Sequence, residues 1–99
     1  MMRYYFSYYK TGDIYIAVYD DEDYYEDLTI CLAEYGIYPK EGQIIIPVNM
    51  MRENDYKKYI NDLIETTIRV IPYGPYDAVG VLAELKDNWR DICIPMDEL

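Results

Sequence analysis

Two early stretches of this chain are near-continuous runs of aromatic and β-branched residues, and apolar positions then recur at helical spacing in two later ones. Residues 3–9 are almost wholly aromatic, and Ile14-Tyr15-Ile16-Ala17-Val18-Tyr19 is β-branched and aromatic, both suited to a pleated strand. Lys10-Thr11-Gly12-Asp13 between them supplies a turn, so the pattern predicts a β-hairpin. Ile14, Ile16 and Val18 fall on its core face, and Tyr15, Ala17 and Tyr19 on the other. Tyr24, Leu28, Cys31, Leu32 and Tyr35 share a helical stripe, acids crowd its start and Gly36 follows, which predicts a helix over about 21–35. Gln43 to Val48 reads as a strand, with Pro47 marking an edge or an end.

A second helix is expected behind a cap at Asn54 or Asp55, with Tyr56, Tyr59, Ile60, Leu63, Ile64 and Thr67 inward. Its outer face, Lys57, Lys58, Asn61, Asp62 and Glu65, mixes both charges. Residues 68–73 read as a strand and Gly74-Pro75-Tyr76-Asp77 as a turn. Residues 78–85 fit either element, but Gly80 and the alternation of Val79, Val81, Ala83 and Leu85 favour a strand and a second hairpin. Asp87 would start a short last helix carrying Trp89, Ile92 and Cys93 and ended by Pro95. The order ββαβαββα implies an α+β fold, with one mixed or antiparallel sheet of about five strands and helices packed on it.

Length changes this picture little: 99 residues make one domain, 1–99. Strictly apolar runs are as short as Ile44-Ile45-Ile46, far below the roughly 20 residues of a membrane span. The first residues carry tyrosine hydroxyls throughout and lack a small-residue cleavage site, so the chain is expected in the cytoplasm. Cys31 and Cys93 are then best read as small buried hydrophobes.

Charge changes it more. Nineteen acids against nine bases give a net charge of −10. Such a chain repels phosphate and anionic lipid, so neither nucleic acid nor membrane is expected as a direct partner; a basic protein surface is.

The chain has no histidine, which removes the commonest general base and the usual zinc ligand. A calcium loop begun at Asp21 fails at Tyr25 and at Glu26, where an oxygen ligand and glycine belong. Its glycines are isolated and make no phosphate cradle. No catalytic residue, metal or cofactor is therefore expected, and the chain reads as a binder, not an enzyme.

Candidate contact residues lie in two places. Six of the eight residues from Asp20 to Asp27 are acidic: Asp20, Asp21, Glu22, Asp23, Glu26 and Asp27. On a helix, Asp23, Asp27 and Glu34 would line one outward stripe and Glu22 and Glu26 the next, with Ile30 pointing out among them as an apolar anchor. Carboxylates a turn apart sit about 5–6 Å from one another, a spacing that can imitate a nucleic-acid backbone. The same acids also suit a plain solvated helix start. The second place is aromatic. Fourteen tyrosines is far above ordinary usage, and tyrosine is enriched at interfaces. Tyr15 and Tyr19, joined by Tyr5 and Tyr9 or by Tyr4 and Tyr8, would make an aromatic face opposite the aliphatic one.

In length, charge, the Asp20–Asp27 run and tyrosine load, the chain resembles the small acidic inhibitors of phages and mobile elements, the anti-restriction and anti-CRISPR proteins. That likeness is of type and transfers no residue. It implies an inhibitor, a DNA mimic, that occupies the basic nucleic-acid-binding surface of a host defence nuclease such as a CRISPR effector. The alternative is a non-inhibitory assembly protein, a homodimer through the tyrosine-rich sheet face.

Overall fold

The first hairpin forms as its alternation requires. In the computed structural model, which describes residues 2–19, 25–48 and 53–98, β1 (Arg3–Tyr8) and β2 (Ile14–Tyr19) pair antiparallel from Arg3 opposite Tyr19 to Tyr8 opposite Ile14. Gly12 closes the turn at a φ of 91°, a conformation that costs glycine nothing. A short β3 (Tyr25–Asp27) flanks β2 antiparallel, and β7 (Cys93–Pro95) flanks β1 in parallel, giving the order β3-β2-β1-β7.

A second sheet, order β4-β6-β5, is built from β4 (Gln43–Ile46), β5 (Ile64–Tyr73) and β6 (Ala78–Leu85), with both pairings antiparallel. Residues 78–85 are therefore a strand, and the second hairpin holds. Gly80 is required where β6 crosses β4, since a Cβ there would lie 2.8 Å from Ile45 Cγ2.

The main core lies between the sheets. Ile14, Ile16 and Val18 meet Ile44, Ile46, Ala83 and Leu85, as the expected core face demanded. Helix α1 (Glu53–Leu63) closes this layer with Tyr59 and Leu63, and α2 (Trp89–Ile92) with Trp89. Each large apolar side chain so buried contributes roughly 1.5–3 kcal/mol over leaving it exposed. A smaller cluster of Leu32, Ile45, Ile71 and Leu82 lies against the second sheet as well, with Ile30, Ile37 and Tyr73 packed on it.

Three expectations are corrected. The first concerns the helix over 21–35. Residues 20–24 lie outside the described residues, but 25–27 are strand and only Ala33–Tyr35 coil, as one 3₁₀ turn. The backbone explains why. The Leu28 N–H donates to Ile16 O at 2.9 Å and the Ile30 N–H to Ile45 O at 2.9 Å, so this stretch stitches the two sheets together. A helix would spend those N–H groups internally. Thr29, buried between them, accepts the Ile16 N–H at Oγ1 (3.2 Å).

The second concerns the helix from Asn54 or Asp55. It begins at Glu53, so both residues lie inside it, and it ends at Leu63, with Ile64 opening β5. β-branched Ile64, Thr66, Thr67 and Ile68 favour extended chain. Third, Cys93 leaves the last helix to pair opposite Tyr4 in β7.

The fold is thus mostly sheet with two helices, consistent with α+β, but as sheets of four and three strands and not in the order ββαβαββα. Among the described residues no helix is long and apolar enough to cross a membrane. Both cysteines are free; burial pushes the Cys93 thiol up to about 12, so it stays protonated, while Cys31 is half-buried.

Candidate binding face

Strand register sorts the first sheet's side chains onto two faces. Tyr4, Phe6 and Tyr8 pair across from Val18, Ile16 and Ile14 on the core side. Arg3, Tyr5 and Ser7 pair across from Tyr19, Ala17 and Tyr15 on the outer side. Of the two sets open to the aromatic face, Tyr5 and Tyr9 are therefore the members, and Tyr4 belongs to the core. Both helices pack on the core side: the Tyr59 ring meets Tyr4 edge-on at 6.3 Å, and Trp89 meets Phe6 edge-on at 5.0 Å.

The outer face is a lattice of tyrosines. Tyr5 meets Tyr19 at 5.1 Å, Tyr19 meets Tyr25 at 5.0 Å, and Tyr9 meets Tyr15 at 5.4 Å. Ala17, between Tyr5 and Asp27 in the register, is completely buried. Tyr25 is 45 % exposed and Ile94 extends the face on β7, opposite Tyr5.

One carboxylate is set into this lattice. Asp27 pairs across from Ala17, placing Tyr15 on the diagonal, within reach of a long side chain. The Tyr15 hydroxyl donates to Asp27 Oδ1, and the Tyr25 hydroxyl donates to the same oxygen at 2.6 Å. The two hydroxyls also touch each other. Burial first, then the bond to Asp27, raises the pKa of each hydroxyl above its ordinary value. Both thus remain protonated donors at neutral pH and fix the carboxylate in place. Tyr9 is held from below by a 3.0 Å bond between its hydroxyl and Thr29 Oγ1.

The predicted contact residues are distributed unevenly. Tyr15, Tyr19 and Asp27 come together on this face. Asp20, Asp21, Glu22 and Asp23 lie outside the described residues. Glu26 is corrected: strand alternation turns it to the core side opposite Val18, where it accepts a 2.6 Å bond from the hydroxyl of buried Tyr59. The outward stripe shared by Glu22 and Glu26 therefore loses its second member. Ile30 is corrected too: it is half-buried in the small cluster, not an exposed anchor. Tyr25 was missed because a helical reading gave it no partner; alternation of Tyr25 and Asp27 with Glu26 was the signal that could have found it.

Among the described residues no three His, Cys, Asp or Glu side chains are grouped so as to hold a metal ion. No protein-family model matches the chain, and no match is found among curated proteins or solved structures.

Proposed function

We propose that the chain works by binding a basic protein surface through the outer face of its first sheet, and that this surface is the nucleic-acid-binding one of a host defence nuclease. The observation that carries the reading is the Tyr15–Tyr25–Asp27 cluster. It offers a carboxylate held by two hydroxyl donors and ringed by aromatic faces, which suits an arginine or lysine from a partner. A net charge of −10 would steer such a partner from a distance. The acids at 20–23 precede β3 in the sequence and add to the charge of that stretch of chain. The mimicry then rests on a sheet face and its acidic approach, and not on a helical row of carboxylates.

The test is inhibition of purified defence nucleases by the wild type and by Asp27→Lys. Reversing this charge should weaken inhibition at least about a hundredfold, the scale of roughly 2–5 kcal/mol for losing one member of a buried charge contact. Glu26 is left intact because its bond to Tyr59 ties it to the fold. Undiminished inhibition by Asp27→Lys would sink the proposal. Salt-insensitive self-association, lost in a Tyr15→Ser, Tyr19→Ser double variant, would favour the homodimer instead.

A further inference from the structure

A second open site lies at the turn of the first hairpin, and the proposed partner face does not use it. A groove of about 490 Å³ runs between the turn of the first hairpin, the loop bearing Tyr38 and Lys40, and Arg90 of α2. That size is in the range of small-molecule sites.

Two features of its lining stand out. First, it holds open aromatic rings: Tyr8 is 51 % exposed and Tyr38 is 63 % exposed. Second, it gathers Lys40 and Arg90, and among the described residues neither has a carboxylate within ion-pair distance. Two cations thus stand beside one groove on a chain with nine Lys and Arg against nineteen acids. Two acids line the groove as well, Glu41 and Asp13, the latter accepting the Thr11 hydroxyl at 3.0 Å, so the formal charge of the lining balances and the cations matter through their placement.

The site is also held in shape by the core. The Arg90 guanidinium lies 5.1 Å over the Trp89 ring; Trp89 packs edge-on against Phe6, and Phe6 edge-on against Tyr8 at 6.2 Å. A continuous stack thus fixes one of the cations and one of the open rings relative to each other. Preorganisation of this kind lowers the ordering cost of binding.

We infer that this groove binds a mononucleotide, its base against the rings of Tyr8 and Tyr38 and its phosphate between Lys40 and Arg90. Stacking on tyrosine is tolerant of base identity, and arginine and lysine are the usual phosphate partners. The same chemistry could come from a free nucleotide or from one residue of a strand. The charge of −10 decides for the free nucleotide, because each further phosphate meets a repelling surface.

Titration of the full chain, followed by backbone amide NMR shifts, tests this with adenosine 5′-monophosphate, adenosine, inorganic phosphate and a ten-nucleotide single strand. The monophosphate should give saturable shifts at the groove residues at millimolar concentration, and adenosine and phosphate should each bind about tenfold more weakly. Lys40→Glu and Tyr38→Ala, both at exposed positions, should each weaken monophosphate binding about tenfold, with the amide spectrum otherwise kept. The inference is overturned by an absence of saturable groove shifts, by phosphate matching the monophosphate, or by either variant binding as the wild type does. The strand binding more tightly than the monophosphate would overturn the free-nucleotide assignment.

Discussion

The outer face of the first sheet, where Tyr25, Asp27 and Ile94 are exposed around buried Tyr5 and Ala17, and the outer half of the β5–β6 hairpin both reach solvent, but they are finished differently. On the first sheet, hydroxyls converge on Asp27 and rings pack edge to face, so polar and apolar groups are organised together. On the hairpin, residues 65–70 are all exposed, Ile68 and Val70 (63 %) among them, and Tyr76 in the turn is 89 % exposed. β5 is also the outer strand of its sheet, a position that invites unwanted pairing. Register shifts between Ile64 and Thr66 and between Thr67 and Arg69 kink it, and Pro72 lacks an N–H. Such devices block strand addition. Exposure alone therefore does not mark a binding surface; under the proposed function the first face meets a partner and the second is left alone.

If the hairpin is a passive overhang, its sensitive point is where it joins the core. Gly80→Ala places a Cβ against Ile45 Cγ2 and should cost about 1–3 kcal/mol by urea unfolding, as overpacking does. A smaller loss than this would mean that β4 and β6 slide apart easily, and the distinction between anchored base and free tip would weaken.

A pair of hydroxyl deletions sharpens the contrast with opposite signs. The Tyr15 hydroxyl bonds Asp27, whereas the Tyr73 hydroxyl is buried without a protein partner among the described residues. Tyr15→Phe should destabilise by about 1 kcal/mol, and Tyr73→Phe should be neutral or stabilising by up to about 1 kcal/mol. Equal losses in both variants would show that the presence of a bonding partner does not decide what a tyrosine hydroxyl contributes here.

The same contrast marks what could be read in the sequence. Both hairpins were legible because strand alternation and turn residues agree with the final packing. Residues 25–35 were not. Leu28, Cys31, Leu32 and Tyr35 carry a helical period, yet the N–H groups of Leu28 and Ile30 are claimed by Ile16 and Ile45, far away in the chain. Local periodicity cannot reveal a long-range hydrogen bond. That one misreading put Glu26 beside Asp27 on an outer surface and turned Ile30 outward. The tyrosine face survived because it rests on the alternation of β1 and β2 alone; its carboxylate became part of it only once β3 was placed.

Alkaline pH tests the first sheet's hydroxyls directly. Burial, reinforced by a 2.6 Å bond to Asp62, raises the pKa of the Tyr4 hydroxyl, and burial with the bond to Asp27 raises that of Tyr15. A folded state that holds these protons more tightly than the unfolded chain gains stability that is fully present below the unfolded value near 10. It is lost as the pH climbs past that value, because the unfolded chain then releases protons that the folded one keeps. The urea midpoint should fall above about pH 10 in the wild type, and less steeply in Tyr15→Phe. Val70→Thr, on the hairpin, should leave the slope unchanged. An identical slope in Tyr15→Phe would remove the hydroxyl–carboxylate cluster from the comparison.

The smallest effects belong to the hairpin's outer strand, and their smallness is the point. Ile68→Lys and Val70→Lys replace exposed apolar side chains with charges, and each should change stability by less than about 0.5 kcal/mol. They should also leave the sedimentation coefficient as it is, because the kinked, proline-bearing edge of β5 does not template a second strand. The opposite result is informative. If the wild type sediments as a dimer and Val70→Lys dissociates it, the two register shifts do not protect the edge. The hairpin would then be the chain's assembly surface. The tyrosine face would keep its claim on a basic partner only if Asp27→Lys still abolished inhibition in that monomeric background.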